Sequence, residues 1–313
     1  MLPYNMARTE LIVIVGPTAS GKSELAVRLA KKLNGEIISA DSRQVYRRLD
    51  IGTGKVNGSW QMARGKWPKR TFVYKKIPHY CINLVDPKKV FTAADFKKCA
   101  EGAILDITNR DKIPLLVGGT GFWIDSVVYD LSFPEVPPNW KLRKELEKKS
   151  TAQLLKILAK LDPRKVRNID IHNRRRLERA IEIAKALGKV PIIKKKKPYK
   201  TLWIGINPTP QLWGRGLEKR VVEMIKKGIL SETKWLMKNV KNKRFREFGF
   251  EYQEAKKFID QEITKKELLE NIVKRSKDYA KRQMTWFKRN PNIGWIKNDT
   301  SAIKIIKRFI SAN

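Results

Sequence analysis

The stretch Leu11-Ile12-Val13-Ile14-Val15-Gly16-Pro17-Thr18-Ala19-Ser20-Gly21-Lys22-Ser23 decides the fold. Five apolar residues of strand length run into a complete G-x-x-x-x-G-K-[ST] pattern. Glu24-Leu25-Ala26-Val27-Arg28-Leu29-Ala30 then continues with helical spacing. Strand, glycine-rich loop and helix is the geometry in which successive backbone N–H groups point at a phosphate chain. In that arrangement Lys22 reaches the terminal phosphate and the Ser23 hydroxyl is a ligand for Mg²⁺.

Outward from this motif, β-rich apolar segments recur at 36–40, 113–117 and 201–206, separated by helical patterns. The alternation predicts an α/β fold, a parallel sheet wrapped by helices. The first helix should end near Leu33, before Asn34-Gly35. A second should open at Thr92-Ala93-Ala94-Asp95, an N-cap with an acid three residues on, and run to about Asn109. After the breaker segment Phe133-Pro134-Glu135-Val136-Pro137-Pro138, helical patterning runs without interruption from Trp140 to Leu187. The expected organisation is therefore a core of 1–130 and 200–313 carrying an all-helical insertion at 131–199. The last long helix is expected over about 266–288, with an apolar stripe at Leu269, Ile272, Val273, Tyr279, Ala280 and Phe287.

Composition narrows the class. A chain of 313 residues with 42% apolar residues and nine Trp is long enough and apolar enough for a sizeable core. No apolar run reaches membrane-spanning length, and Met1 to Glu10 has no stretch of signal-peptide length. Cys81 and Cys99 have no metal-ligand spacing and read as free, buried thiols of a reducing compartment. The cytoplasm is the expected location. The net charge is +37, and residues 131–200 carry 21 basic against 7 acidic side chains, roughly twice the charge density of the remainder. Lys enrichment by genome composition would be more even, so a polyanionic partner concentrated on the insertion is expected.

Three further segments can carry chemistry. Asp41 closes the second strand at its carboxyl end, where open α/β sheets bind ligands. There it can ligate Mg²⁺ through water or act as a general base, or it can simply cap the following turn. Gly118-Gly119-Thr120-Gly121 follows the strand at 113–117, with glycine where an ATPase carries its metal-anchoring acid. Two basic clusters, 173–179 and 281–289, mix Arg with apolar or aromatic residues and fit either phosphate contacts or solvated helix faces. His79 and His172 are isolated and read as structural.

Taken together the chain resembles the tRNA dimethylallyltransferase (tRNA isopentenyltransferase) family. The resemblance is carried by GPTASGKSELA at 16–26, ISADSRQVYRRLDIGTGK at 38–55, VDP at 85–87 and FTAADF at 91–96. It continues through IPLLVGGTGFW at 113–123, NRRRLERAIE at 173–182 and AKRQMTWF at 280–287. It implies a P-loop-kinase-like core with a helical insertion that grips the anticodon stem-loop of tRNA. It also implies dimethylallyl diphosphate as donor, Mg²⁺ as cofactor, and transfer to N6 of the adenine 3′ of the anticodon. Gly16, Thr18, Ala19, Ser20, Gly21, Lys22 and Ser23 would hold the diphosphate, with Ser23 on the metal. Asp41 would be the base, and Arg220 with Lys22 would stabilise the departing diphosphate. Asp41, Ser42, Arg43, Gln44, Thr120, Arg143, Arg175, Arg176, Arg179, Arg246, Gly249, Phe250, Lys281, Arg282 and Gln283 match positions that meet the tRNA. A monomer binding one tRNA is expected.

The sequence departs from the family pattern at Gly249-Phe250, where the family has Gly-Tyr, and at Ser276-Lys277, where it has Thr-Arg. Asn57 to Lys76 is an intervening segment with no assigned role, and residues after 289 carry no zinc-finger pattern. Prenylation of free AMP or ATP is the first alternative, and it would not need the basic insertion. A P-loop small-molecule kinase would need a metal-anchoring acid that Gly118-Gly119 does not supply. A non-catalytic RNA binder would leave Lys22, Ser23 and Asp41 unexplained.

Overall fold

A computed structural model describes residues 9–62, 70–296 and 299–311. In chain order the elements begin β1 (Glu10–Val15), α1 (Lys22–Lys32), β2 (Gly35–Ala40), β3 (Ser59–Met62), β4 (Arg70–Tyr74) and β5 (Ile77–Tyr80). Next come α2 (Ala93–Thr108), β6 (Ile113–Gly118) and α3 (Gly121–Val128), then α4 (Trp140–Glu147), α5 (Thr151–Leu161), α6 (Pro163–Val166) and α7 (Arg174–Leu187). The chain returns through β7 (Lys200–Ile206) to α8 (Pro210–Lys226), α9 (Ile229–Asn239), α10 (Asn242–Phe245), α11 (Phe250–Ile259) and α12 (Lys265–Phe287). It ends with β8 (Ile293–Ile296) and α13 (Asp299–Ser311).

The strands form one sheet in the order β3-β4-β5-β2-β6-β1-β7-β8. From β5 to β8 every pairing is parallel, and β1 lies between β6 and β7. The central strands alternate their buried side chains between two apolar layers. Leu11, Val13 and Val15 face the layer built with α2 and α3, and Ile12 and Ile14 face the layer built with α1 and α13. Burial on both faces is what turns these strands into continuous apolar runs in the sequence. α2 begins with the expected Thr92 and Asp95 capping box and ends at the C-cap Asn109.

Three features of the sheet differ from the expectation. The edge β3-β4-β5 is antiparallel, so the segment 57–76 contributes a hairpin, its residues 63–69 lying outside the described ones. An eighth strand, β8, pairs with β7 beyond the last expected helix. Cys81 and Cys99, expected as free thiols, are joined by a disulfide with Cα atoms 6.1 Å apart. The end of β5 and the face of α2 meet only because α2 folds back across the sheet, which the spacing of 18 residues does not reveal.

Contacts divide the chain into two compact units, one of residues 1–130 with 196–313 and one of residues 131–195. The smaller unit has its own core of Leu142, Leu146, Leu154, Leu158, Leu177 and Ile181. Its helical patterning is not continuous. Asn139, Ser150, Asp162 and Asn173 each accept a backbone N–H through the side chain, and each starts a new helix. In the larger unit α12 runs one residue earlier than expected at each end. Its buried stripe is Leu268, Ile272, Ser276, Ala280, Gln283 and Phe287, so two polar residues sit on the inward face.

Candidate active site

The loop after β1 turns through Ala19 at φ +60° and Gly21 at φ +79° before α1 begins at Lys22. A Cβ on Gly21 would meet nothing within 4 Å, so the glycine answers to the backbone angle and not to crowding. Thr18 is clasped from three directions. Its amide donates to Gln283 Oε1 at 2.9 Å, its carbonyl accepts from Trp213 Nε1 at 2.8 Å, and its hydroxyl accepts from Arg220 Nη1 at 2.8 Å. Gln283 is buried, and its Nε2 donates to Gly119 O at 3.0 Å, which ties the loop to the end of β6. Helices α8 and α12, far along the chain, thus fix the loop that β1 and α1 begin.

Around this loop lies a cleft of about 200 Å³. Lys22, Ser23 and Arg220 face it from the loop side, and Asp41, Gln44 and Tyr279 from the other walls. Ile37, Ile82 and Val117 give it an apolar floor. Lys22 Nζ donates to Pro17 O at 3.1 Å. Burial pushes its ammonium down to about 8, a drop that Asp41 opposes and Arg220 reinforces. Gly54 leaves space for Arg220, since a Cβ there would lie 2.6 Å from Nη2. Ser20 Oγ, in the loop itself, is buried with no hydrogen-bond partner. His79 also lines the cleft. Its Nδ1 is bonded to Ile77 O at 2.9 Å, and burial pulls the imidazole down to about 4.

Asp41 caps the following turn and also lines the cleft. Oδ1 accepts from the Arg43 and Gln44 amides at 2.9 and 3.2 Å and so caps the turn, while the carboxylate lines the cleft. Thr120 Oγ1 accepts from the Ser42 amide at 3.1 Å, joining the ends of β2 and β6. Gln44 Nε2 donates to the carbonyls of Thr53 and Gly54 at 3.3 and 3.4 Å, which holds the 50–54 segment against the cleft. Arg246, Lys281 and Arg282 are exposed. Gly249 and Phe250 are buried at the start of α11.

The IPP transferase family model matches residues 44–290, and an isopentenyl transferase model matches residues 9–63. The chain belongs to the IPP transferase family. Among its relatives, the tRNA dimethylallyltransferase of Staphylococcus haemolyticus is 36% identical over 95% of this chain and 89% of its own length. That of Pediococcus pentosaceus is 37% identical over 96% of both chains. Among solved structures, the tRNA isopentenylpyrophosphate transferase of Bacillus halodurans superimposes with a TM-score of 0.68 at 32% identity, covering 97% of this chain and 96% of that one. A eukaryotic dimethylallyltransferase acting on tRNA reaches a TM-score of 0.75 at 25% identity, covering 97% of this chain and 80% of the other.

In the helical unit of this chain, the arginines separate into two kinds. Arg143 donates to buried Glu182 from Nε at 3.0 Å and Nη2 at 2.9 Å, and its guanidinium lies over Trp140. Arg179 donates to Glu182 at 2.5 Å and to Val136 O at 2.8 Å. Burial alone would raise the Glu182 carboxyl, but these two arginines hold it below its ordinary range. Arg175 and Arg176 are exposed on the first turn of α7. Trp213, which closes the loop, was not picked out from the sequence, and Tyr279, which lines the cleft, was read only as part of an apolar stripe. Both stand on amphipathic helices, where an aromatic residue reads as core.

Proposed function

We propose that this chain transfers the dimethylallyl group of dimethylallyl diphosphate to N6 of the adenine 3′ of the anticodon in tRNA, releasing diphosphate. The observation that carries the reading is one cleft lined together by a cationic phosphate loop, a carboxylate and apolar side chains. Lys22 and Arg220 are placed to take the charge that builds on the diphosphate as the C–O bond breaks. The apolar floor of Ile37, Ile82 and Val117 suits a five-carbon tail and keeps water away from it. Asp41 is placed to accept the N6 proton as the C–N bond forms. The orphaned Ser20 hydroxyl suits a phosphate oxygen.

The donor set fits Mg²⁺. Ser23, Ser39 and Asp41 offer oxygen atoms to the cleft, and among the described residues no group of three His, Cys, Asp or Glu is placed to hold a metal by itself. Such a set suits an ion that arrives with the diphosphate and keeps several waters. When bound, Mg²⁺ would spread the negative charge of the leaving diphosphate.

A flipped adenine in a single-stranded loop costs little to present, and the basic helical unit supplies the attraction for its RNA. The enzyme works as a monomer in the cytoplasm. The location follows from the tRNA substrate, since the paired cysteines no longer speak for a reducing compartment. Among the described residues no helix is long and apolar enough to cross a membrane. The test is transfer of label from dimethylallyl diphosphate to unmodified tRNA, with AMP as competing acceptor and ATP as competing donor. Label on tRNA that disappears in Lys22→Ala is the expected result. Label on AMP alone would mean a free-nucleotide enzyme, and ATP consumption without transfer would mean a kinase.

A further inference from the structure

An ion pair with a space shaped around it stands beside the base. Arg43 uses two separate groups. Its amide donates to Asp41 Oδ1 at 2.9 Å, and its guanidinium Nη1 donates to Glu251 Oε2 at 3.0 Å. Glu251 belongs to the first turn of α11 and is only 6% exposed. The guanidinium packs against two neighbouring rings, with Phe250 centred 5.6 Å away and Tyr279 5.3 Å away. Tyr279 itself lines the cleft. Gly249 adopts φ +131°, and a Cβ there would lie 2.6 Å from Arg43 Nη1 and 2.7 Å from Glu251 Oε2. The chain passes the ion pair where no other residue fits.

This geometry is poorly suited to gripping RNA. An arginine that contacts phosphates is solvated and can swing. Arg43 instead packs beside two neighbouring aromatic rings and neutralises a buried carboxylate, and leaving that position would strand Glu251 without a partner. The Phe250 ring, where the family pattern has tyrosine, offers its face both to Arg43 and to Arg275, which lies 5.4 Å from the ring centre.

We propose that Arg43 and Glu251 form a positioning clamp that locks the 41–44 turn to α11 and so aims the Asp41 carboxylate, and that Arg43 is not an RNA contact. The clamp rests on the transferase reading above. Arg43 is a positioning residue, because it acts through Asp41 and touches no reacting atom.

The experiment compares Arg43→Met, Arg43→Lys, Glu251→Gln and the double variant Arg43→Met/Glu251→Gln in steady-state transfer. Direct tRNA binding is measured in parallel across salt concentrations. A misplaced catalytic group costs on the order of a hundredfold in rate. Arg43→Met and Glu251→Gln should therefore each lower kcat by about that factor, with tRNA Kd and the KM for dimethylallyl diphosphate changed by less than about twofold. The double variant should be no worse than the worse single one, because the two side chains act as a unit. Arg43→Lys should recover part of the rate by keeping the charge without the planar stack. Glu251→Gln is nearly isosteric and serves as the folded control if Arg43→Met fails to fold.

Unchanged kcat in Glu251→Gln overturns the clamp. So does a loss of tRNA affinity in Arg43→Met with a salt slope lowered by about one at full kcat, the signature of a lost phosphate contact. No transfer by the unmutated chain would overturn the transferase reading and the clamp with it. Transfer by the unmutated chain and by Arg43→Met at equal rate would overturn the clamp alone.

Discussion

The phosphate-loop cleft and the helical unit both carry arginines and carboxylates from family motifs, yet they use them in opposite ways. In the cleft, Asp41 and Lys22 face open space, and their neighbours serve to aim them. In the helical unit, Arg143 and Arg179 are paired with buried Glu182, whereas Arg175 and Arg176 stand on the exposed first turn of α7. A motif arginine is therefore not an RNA contact by virtue of its motif. A buried carboxylate beneath it, as Glu182 stands beneath Arg143 and Arg179, gives it a structural role as well.

That contrast can be broken at several points. The largest effect should come from Asp41→Ala, which removes the base and lowers kcat by about 10²–10⁴-fold while leaving tRNA affinity nearly unchanged. Single-turnover transfer beside a binding isotherm checks it, and a parallel loss of affinity would show that Asp41 holds the RNA instead. Next comes Glu182→Ala. Leaving Arg143, Arg179 and the Asn139 amide without their shared carboxylate should cost about 1–3 kcal/mol of stability in the 131–195 unit, seen as a lowered Tm and early amide exchange confined to those residues. Diphosphate binding and single-turnover chemistry in the other unit should survive. An unchanged Tm would make the paired arginines surface groups after all.

The third prediction concerns pH. Lys22 sits at about 8 in the free protein, and a bound diphosphate raises it, so above pH 8 binding must take up a proton. Affinity for diphosphate should be flat below about pH 7 and fall up to tenfold per pH unit above 8, with proton uptake visible by calorimetry in buffers of different ionisation heat. Lys22→Arg should remove that slope. The smallest effect belongs to Arg176→Ala, expected to weaken tRNA binding a few-fold and reduce the salt slope by about one, with kcat unchanged. If Arg143→Ala in a still-folded unit reduces the slope by the same amount, the division between paired and exposed arginines fails.

Much of this protein was legible from local sequence. The phosphate loop, the four central strands, the Thr92 capping box and the helical character of 140–187 follow from short-range chemistry: apolar runs buried on both faces, glycines at positive φ, and side chains that cap nearby amides. Asp41 and Lys22 were found because strand ends and loops place them whatever the rest of the chain does.

The remainder belonged to tertiary structure. The antiparallel edge β3-β4-β5 and the short strand β8 lack a clean alternating pattern and form by pairing with a sheet already built. Helix breaks inside 140–187 depend on which of several polar residues win a backbone amide. The Cys81–Cys99 bridge needs α2 packed over the end of β5. Arg43, Gln283 and Arg179 have the residue types of RNA contacts, but their partners lie at Glu251, Thr18 and Glu182, and for Arg43 and Gln283 those partners are more than 200 residues away. The sequence determines which groups can make an ion pair or a hydrogen bond. Only the fold decides which partner arrives, because a buried polar or charged group is paired with whatever complementary group the packing brings within hydrogen-bond reach.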